Sequence, residues 1–130
     1  MIQKLILGDC LEKMAEIPSG SVDMVLCDLP YGTTACKWDI IIPLNQLWQQ
    51  YNRIIKDNSV IALFSGEPFT SLLITSNLGG FKYRWDWDKV IPAGMSYARF
   101  RPMQQSEDIC IFTKNGDKSR YYPQMIKRDI

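Results

Sequence analysis

Val22-Asp23-Met24-Val25-Leu26-Cys27-Asp28-Leu29-Pro30-Tyr31 is the stretch on which the fold turns. Val22 to Cys27 is apolar apart from Asp23, the pattern of a strand buried on both faces. It ends at a carboxylate followed by a proline turn. Upstream, Lys4 to Leu7 reads as a short strand closed by Gly8. Asp9 can cap a short helix through Glu16, with Leu11, Met14 and Ala15 on one side, and Pro18-Ser19-Gly20 breaks it. Downstream, Pro43 opens a helix to about Ile55 in which Leu44, Leu47, Trp48, Tyr51 and Ile55 recur at helical spacing. Asp57-Asn58 turns the chain into a strand from Val60 to Phe64, and Glu67 to Leu78 is a helix closed by Gly79-Gly80. Phe81 to Lys89 alternates aromatic with polar residues, as a strand with one exposed face does. A loop with Pro92, Gly94 and Pro102 leads to a strand from Asp108 to Thr113, then a turn at Asn115-Gly116 and an irregular last dozen residues. Strand, helix, strand, helix, strand predicts an α/β fold with a parallel sheet and crossover helices, its last two strands forming an antiparallel edge. Reactive groups in such sheets lie beyond the carboxyl ends of the strands, where Asp28 stands.

The chain has 130 residues, enough for one domain; 46% are apolar and 22% charged, the mix of a globular core and shell. No apolar run reaches the roughly 18 residues of a membrane span, and the first nine residues carry Lys4 and no small-residue cleavage site. A cytoplasmic protein without a membrane partner is expected. Cys10, Cys27, Cys36 and Cys110 show no paired spacing, which argues for reduced, mostly buried thiols and against a metal site. Histidine is absent, which removes every mechanism built on an imidazole base. Residues 1–80 hold five Lys/Arg against eight Asp/Glu, and residues 81–130 hold ten against six. The positive half suits a polyanion, although a solvated surface produces the same count.

The most informative chemistry lies in Asp28-Leu29-Pro30-Tyr31-Gly32. Pro30 stiffens the backbone and pushes Leu29 toward an extended conformation, so that the Leu29 carbonyl can point outward beside the Asp28 carboxylate. Tyr31 offers a flat face. Two acceptors and a ring make a cradle for a planar ring bearing an exocyclic NH₂; a bare structural turn is the alternative.

Asp-Leu-Pro-Tyr resembles the Asp-Pro-Pro-Tyr motif of DNA adenine-N6 methyltransferases that use S-adenosylmethionine. Leu7-Gly8-Asp9-Cys10-Leu11, Ile17-Pro18 and Ser21-Val22-Asp23 are similar to the lead-in of that motif in the class with permuted motif order, the beta class. Gly32-Thr33-Thr34 with Lys37-Trp38-Asp39 resembles its phage and prophage branch. Trp87-Asp88-Lys89, Arg101-Pro102, Glu107-Asp108-Ile109, Phe112-Thr113-Lys114 and Tyr122-Pro123-Gln124-Met125 resemble later blocks, so the likeness covers nearly the whole chain. Leu29 replaces the usual first proline, and Ser106-Glu107 stands where the family often has His-Glu. The family's Phe-x-Gly-x-Gly cofactor motif is absent.

The resemblance implies a Rossmann-like methyltransferase fold with an incomplete sheet and an antiparallel carboxyl-terminal hairpin, residues 1–130 forming its amino-terminal, catalytic-motif half. It implies methyl transfer to the amine of an adenine flipped out of duplex DNA, of the kind found in restriction-modification. Asp28 and the Leu29 carbonyl would hold the amine, Pro30 would shape the turn and Tyr31 would stack on the base. Asp9, Cys10 and Asp28 would lie near the cofactor, which this chain alone should bind weakly or not at all. Lys89, Arg99 and Arg101, among Trp87, Tyr97 and Phe100, would track phosphates. In the family fold the glycine-motif strand lies beside the strand ending at Asp28, and Lys4–Leu7 two places further out. Either Lys4–Leu7 pairs directly with Val22–Cys27, or a second polypeptide or second copy fills the gap. Three other readings stay open: an inactive fragment that needs a partner half, an N4-cytosine DNA methyltransferase, and a cofactor-free nucleic-acid-binding module. Asp28, where cytosine enzymes usually have serine, favours adenine.

Overall fold

The computed structural model describes residues 3–126. The chain forms α1 (Cys10–Ala15), β1 (Val22–Asp28), α2 (Leu44–Ile54), β2 (Ile55–Ser65), α3 (Phe69–Ser76), β3 (Phe81–Ala93) and β4 (Gln104–Thr113). The four strands make one open sheet in the order β1-β2-β4-β3. β1 and β2 are parallel, joined by a crossover through α2; β4 is antiparallel to both β2 and β3. The expected parallel core with an antiparallel carboxyl-terminal hairpin is therefore present, and Asp28 is the last residue of its strand.

All three helices pack on one face. Leu47, Trp48, Tyr51 and Ile54 of α2 and Phe69 and Leu73 of α3 cluster with Ile61, Leu63, Cys110 and Phe112 of the sheet. The α2 residues recur every three or four positions because that spacing keeps them on one side of a helix. Trp48 lies 4.7 Å from Phe112 between ring centroids and donates its Nε1–H to Ser76 Oγ at 2.8 Å, which ties α2 to α3. Arg53 ties α2 to α1: its Nη2 donates to the Met14 carbonyl at 2.6 Å and its Nη1 to the Ile17 carbonyl at 2.8 Å.

The opposite face has no helix among the described residues. Ala62, Ile109 and Ile111 are buried there by their neighbours Val60 and Phe64. Around them Met24 and Leu26 of β1 and Trp85 and Trp87 of β3 stay more than half exposed. Register puts them on the same face, since Leu26 pairs with Ala62 and Trp85 with Ile109. Trp87 meets Phe64 edge-on at 6.2 Å.

Five expectations need correction. β1 is a strand but is not buried on both faces: none of its seven residues is buried, because one face carries no helix among the described residues and its outer edge has no neighbouring strand there. Lys4–Leu7 is not a strand and does not pair with β1; Leu5 and Leu7 are almost fully exposed. A short apolar run gains its hydrogen bonds only from a neighbouring strand, and none of the described strands receives it. β2 starts at Ile55, directly after α2, and Asp57-Asn58 forms an irregularity inside it, with Asn58 at φ 61° and the pairing shifting between Val22 and Met24. β3 runs past Lys89 to Ala93 through a bulge at Val90, where Asp88 Oδ1 accepts the Val90 N–H at 2.8 Å. The thiols are not mostly buried: Cys10 and Cys36 are exposed, Cys27 is partly buried and only Cys110 is fully so. Asn115-Gly116 does turn the chain, and residues 117–126 form no regular element; the rest of the expected irregular tail lies outside the described residues. Among the described residues no helix is long and apolar enough to cross a membrane.

Candidate amine-binding site

β1 delivers Asp28 to the carboxyl edge of the sheet, and the next residue anchors the turn. The Leu29 side chain is 5% exposed and belongs to the helix-side core. Burying a leucine contributes roughly 1.5–3 kcal/mol, so Leu29 can replace a proline here and still fix the loop. Asp28 itself is exposed.

Asp28, Leu29, Pro30 and Tyr31 line one cleft of about 370 Å³ together with Thr33, Thr34, Trp38 and Asp39. The Tyr31 hydroxyl donates to Asp28 Oδ1 at 2.9 Å. One face of the Tyr31 ring stacks on Phe69, with centroids 5.3 Å apart and planes 18° from parallel. Burial, reinforced by the Asp28 carboxylate, pushes the Tyr31 phenol well above its ordinary value, so it stays a protonated donor. Asp28 retains its second oxygen, and a carboxylate offers about four lone-pair sites in all. The cleft thus presents a free acceptor beside aromatic walls, which suits a flat ring with an amine.

Phe69 backs the Tyr31 ring, and Trp38 and Asp39 line the cleft, places that motif reading did not assign. Asp39 is 8% exposed. Its Oδ1 accepts the Gly32 N–H at 2.8 Å, and its Oδ2 accepts those of Thr33 and Thr34 at 2.9 and 2.7 Å. Hydrogen bonds from the loop, the Thr34 side chain foremost and then the backbone, hold the Asp39 carboxyl down at about 2. Gly32 sits at φ 68°, and a Cβ there would come within 3.0 Å of Ile41 Cγ1, so a larger residue would strain the backbone and press on Ile41. The signal available in the sequence was an acid a few residues beyond a glycine turn.

The other expected site residues lie apart from this cleft or are partly engaged. Asp9 caps α1, its Oδ1 accepting from Leu11 N at 2.8 Å and Glu12 N at 3.3 Å. Neither Asp9 nor Cys10 lines the Asp28 cleft. Partial desolvation, together with the neighbouring Asp9 and Asp28 carboxylates, raises the Cys10 and Cys27 thiols, so neither is an activated nucleophile. Lys89 is bound to Glu107 at 2.8 Å on the sheet edge. Arg101 lies over the Tyr97 ring at 5.0 Å, and Arg99 is exposed. Arg101 and Tyr97 line a second cleft that shares Tyr31 and Thr33 with the first.

No protein-family model matches the chain. Solved structures do. A Thermus thermophilus protein described as a DNA modification methylase, TTHA0409 complexed with S-adenosyl-L-methionine, matches with a TM-score of 0.61 at 18% identity, over 93% of this chain and 57% of its own. The cytosine-N4-specific PvuII DNA methyltransferase gives 0.62 at 12% identity, over 86% of this chain and 49% of its own. The M1.HpyAVI–SAM complex gives 0.58 at 17% identity, over 91% and 57%. The chain therefore has the α/β fold of S-adenosylmethionine-dependent methyltransferases and spans about half the length of these structures.

The residues present do not by themselves form a cradle for S-adenosylmethionine. Asp9 is engaged as a helix cap, Cys10 is away from the Asp28 cleft, and the outer edge of β1 has no neighbouring strand among the described residues.

Proposed function

We propose that this chain is the amino-terminal, catalytic-motif half of a DNA methyltransferase that acts on the exocyclic amine of a flipped adenine, with S-adenosylmethionine as methyl donor. The observation that carries the reading is Asp28 at the carboxyl end of β1, held by Tyr31 in a cleft with aromatic walls, on a fold shared with DNA methyltransferases. Asp28 and the Leu29 carbonyl accept the two N–H groups of the amine. That draws the nitrogen toward tetrahedral geometry and frees its lone pair. Tyr31 packs on the base with the face that Phe69 leaves free. No covalent enzyme intermediate is required. Because both substrates present the same amine, the likeness to a cytosine-N4 enzyme supports an N4-cytosine activity as the second reading.

The rest of the fold is supplied by a second polypeptide segment that pairs with β1 and covers the helix-free face. Three observations support this: the open edge of β1, the exposed Met24, Leu26, Trp85 and Trp87, and the length of the matched structures. The chain alone is expected to bind S-adenosylmethionine weakly or not at all. Arg99 and Arg101 contact phosphates of the duplex.

The test is incorporation of labelled methyl groups into duplex DNA by the chain alone and by the chain expressed with the coding sequence adjoining its own. Label in N6-methyladenine that disappears with Asp28→Ala supports the reading. Label in N4-methylcytosine selects the second reading, and no label in either arm overturns both.

A further inference from the structure

The loop of residues 32–39 is exposed except at its end, where Asp39 turns inward. A carboxylate with both oxygens accepting from three successive backbone N–H groups is a strong local fastening, since each bond is charge-assisted. The Asp39 N–H in turn donates to the Cys36 carbonyl at 3.0 Å, so the loop closes on itself.

Two aromatic residues flank this fastening. The first peptide it holds, at Gly32, is the one that leaves Tyr31. The residue directly before Asp39 is Trp38, 74% exposed and on the rim of the Asp28 cleft. A large apolar ring left in water beside a carboxylate has no packing role in this core. Resting on the reading of Asp28–Tyr31 as an amine cradle, we propose that Asp39 is a positioning residue. It sets Trp38 opposite Tyr31 and so fixes the width of a slot for a planar heteroaromatic ring, with Trp38 as the second wall.

The geometry divides the labour clearly. Tyr31 is fixed at three points: its hydroxyl on Asp28, its ring on Phe69 and its following peptide on Asp39. Trp38, largely exposed, takes its place from the backbone beside Asp39. Loss of the Asp39 carboxylate should therefore free Trp38 and the 32–34 backbone while leaving the core, to which Asp39 contributes no apolar contact, intact.

The experiment uses the full chain and a single-stranded oligonucleotide with 2-aminopurine at one position, so that no flipping is needed. Stacking quenches the probe. Wild type should quench it. Asp39→Ala should weaken binding by roughly tenfold or more, the scale of losing a hydrogen bond to a charged group, and speed amide exchange at residues 32–34. Its melting temperature should fall, with exchange at residues 32–34 rising more than exchange in the core strands. Asp39→Asn, which keeps one acceptor oxygen, should be intermediate in both, and Trp38→Ala should weaken quenching without altering exchange at 32–34. Unchanged quenching in Asp39→Ala, or a general loss of stability without selective exchange in the loop, overturns the proposal. A wild type that does not quench, with exchange still controlled by Asp39, overturns the cradle reading instead and leaves Asp39 as a loop fastener only.

Discussion

The Tyr31 hydroxyl donates to Asp28 Oδ1 across 2.9 Å, so the residue expected as a stacking platform also orients the carboxylate. This sets an order for variants assayed by methyl transfer in the completed enzyme. Asp28→Ala removes an acceptor at a preorganised site, a loss of about 2.7–4 kcal/mol or roughly 10²–10³ in rate. Tyr31→Ala loses stacking worth about 1–3 kcal/mol together with the orienting bond. Tyr31→Phe keeps the ring on Phe69 and loses only the bond. Residual activity should fall from wild type through Tyr31→Phe and Tyr31→Ala to Asp28→Ala. Near-normal turnover in Asp28→Ala would remove the assignment.

Asp39 gives the loop a pH dependence of known sign. Its folded value is depressed to about 2 from an ordinary 3.8. A depressed carboxylate contributes stability above its unfolded value, and that contribution is lost as pH falls through the folded value. Protection of the 32–34 amides, corrected for intrinsic exchange, should hold at about pH 4 and above and collapse as pH drops toward the folded value. Asp39→Asn should show no such step.

The cation cluster separates into two kinds of residue. Lys89 is paired with Glu107 and only 23% exposed, whereas Arg99 is exposed. Arg99→Glu and Arg101→Glu should weaken DNA binding and flatten its salt dependence by about one counterion each. Lys89→Glu should instead place two carboxylates across β3 and β4 and lower the melting temperature. Electrophoretic binding assays at two salt concentrations, with thermal melts alongside, distinguish the two effects.

The strands and helices were legible because their signals are local, although the burial expected of β1 is absent because its outer edge and one face have no cover among the described residues. Val22–Cys27 is a continuous apolar run broken only at Asp23, and Leu44, Leu47, Trp48 and Tyr51 keep one helix face. Lys4–Leu7 was misread because strand formation depends on a neighbour, and its own residues carry no information about whether one is present. Asp28 and Tyr31 were legible from their motif, but the Tyr31–Phe69 stack spans distant residues and leaves no local pattern. Asp39 was visible only within a resemblance. Its three hydrogen bonds depend on the backbone turning at Gly32, which spacing does not reveal.

α1 is only six residues long, too short to stand alone, and Arg53 holds it by donating to the Met14 and Ile17 carbonyls. Arg53→Ala leaves those carbonyls to water and removes the tie to α2. The expected loss is about 1–3 kcal/mol, seen as a lower denaturation midpoint. Amide exchange in Cys10–Ala15 should quicken more than in α2. Equal loss in both helices would mean that Arg53 acts on the core as a whole.

The helix-free face makes the last prediction the most direct test of a missing cover. Met24, Leu26, Trp85 and Trp87 are exposed, so replacing them removes little from the folded chain. Leu26→Lys should change stability by only about 0.5 kcal/mol, the usual scale for surface positions, whereas Trp87→Lys also loses the edge-on contact with Phe64, worth about 0.5–1.5 kcal/mol. If a second segment covers this face, the same lysines would be buried against it without partners, at a cost of several kcal/mol in assembly. The Leu26 variant should therefore melt like wild type when alone and the Trp87 variant somewhat lower, both should be more soluble, and both should fail to form the completed enzyme or to transfer methyl groups. Lysine variants that assemble and turn over normally would show that the cover docks on the β1 edge alone and leaves Leu26 and Trp87 in water.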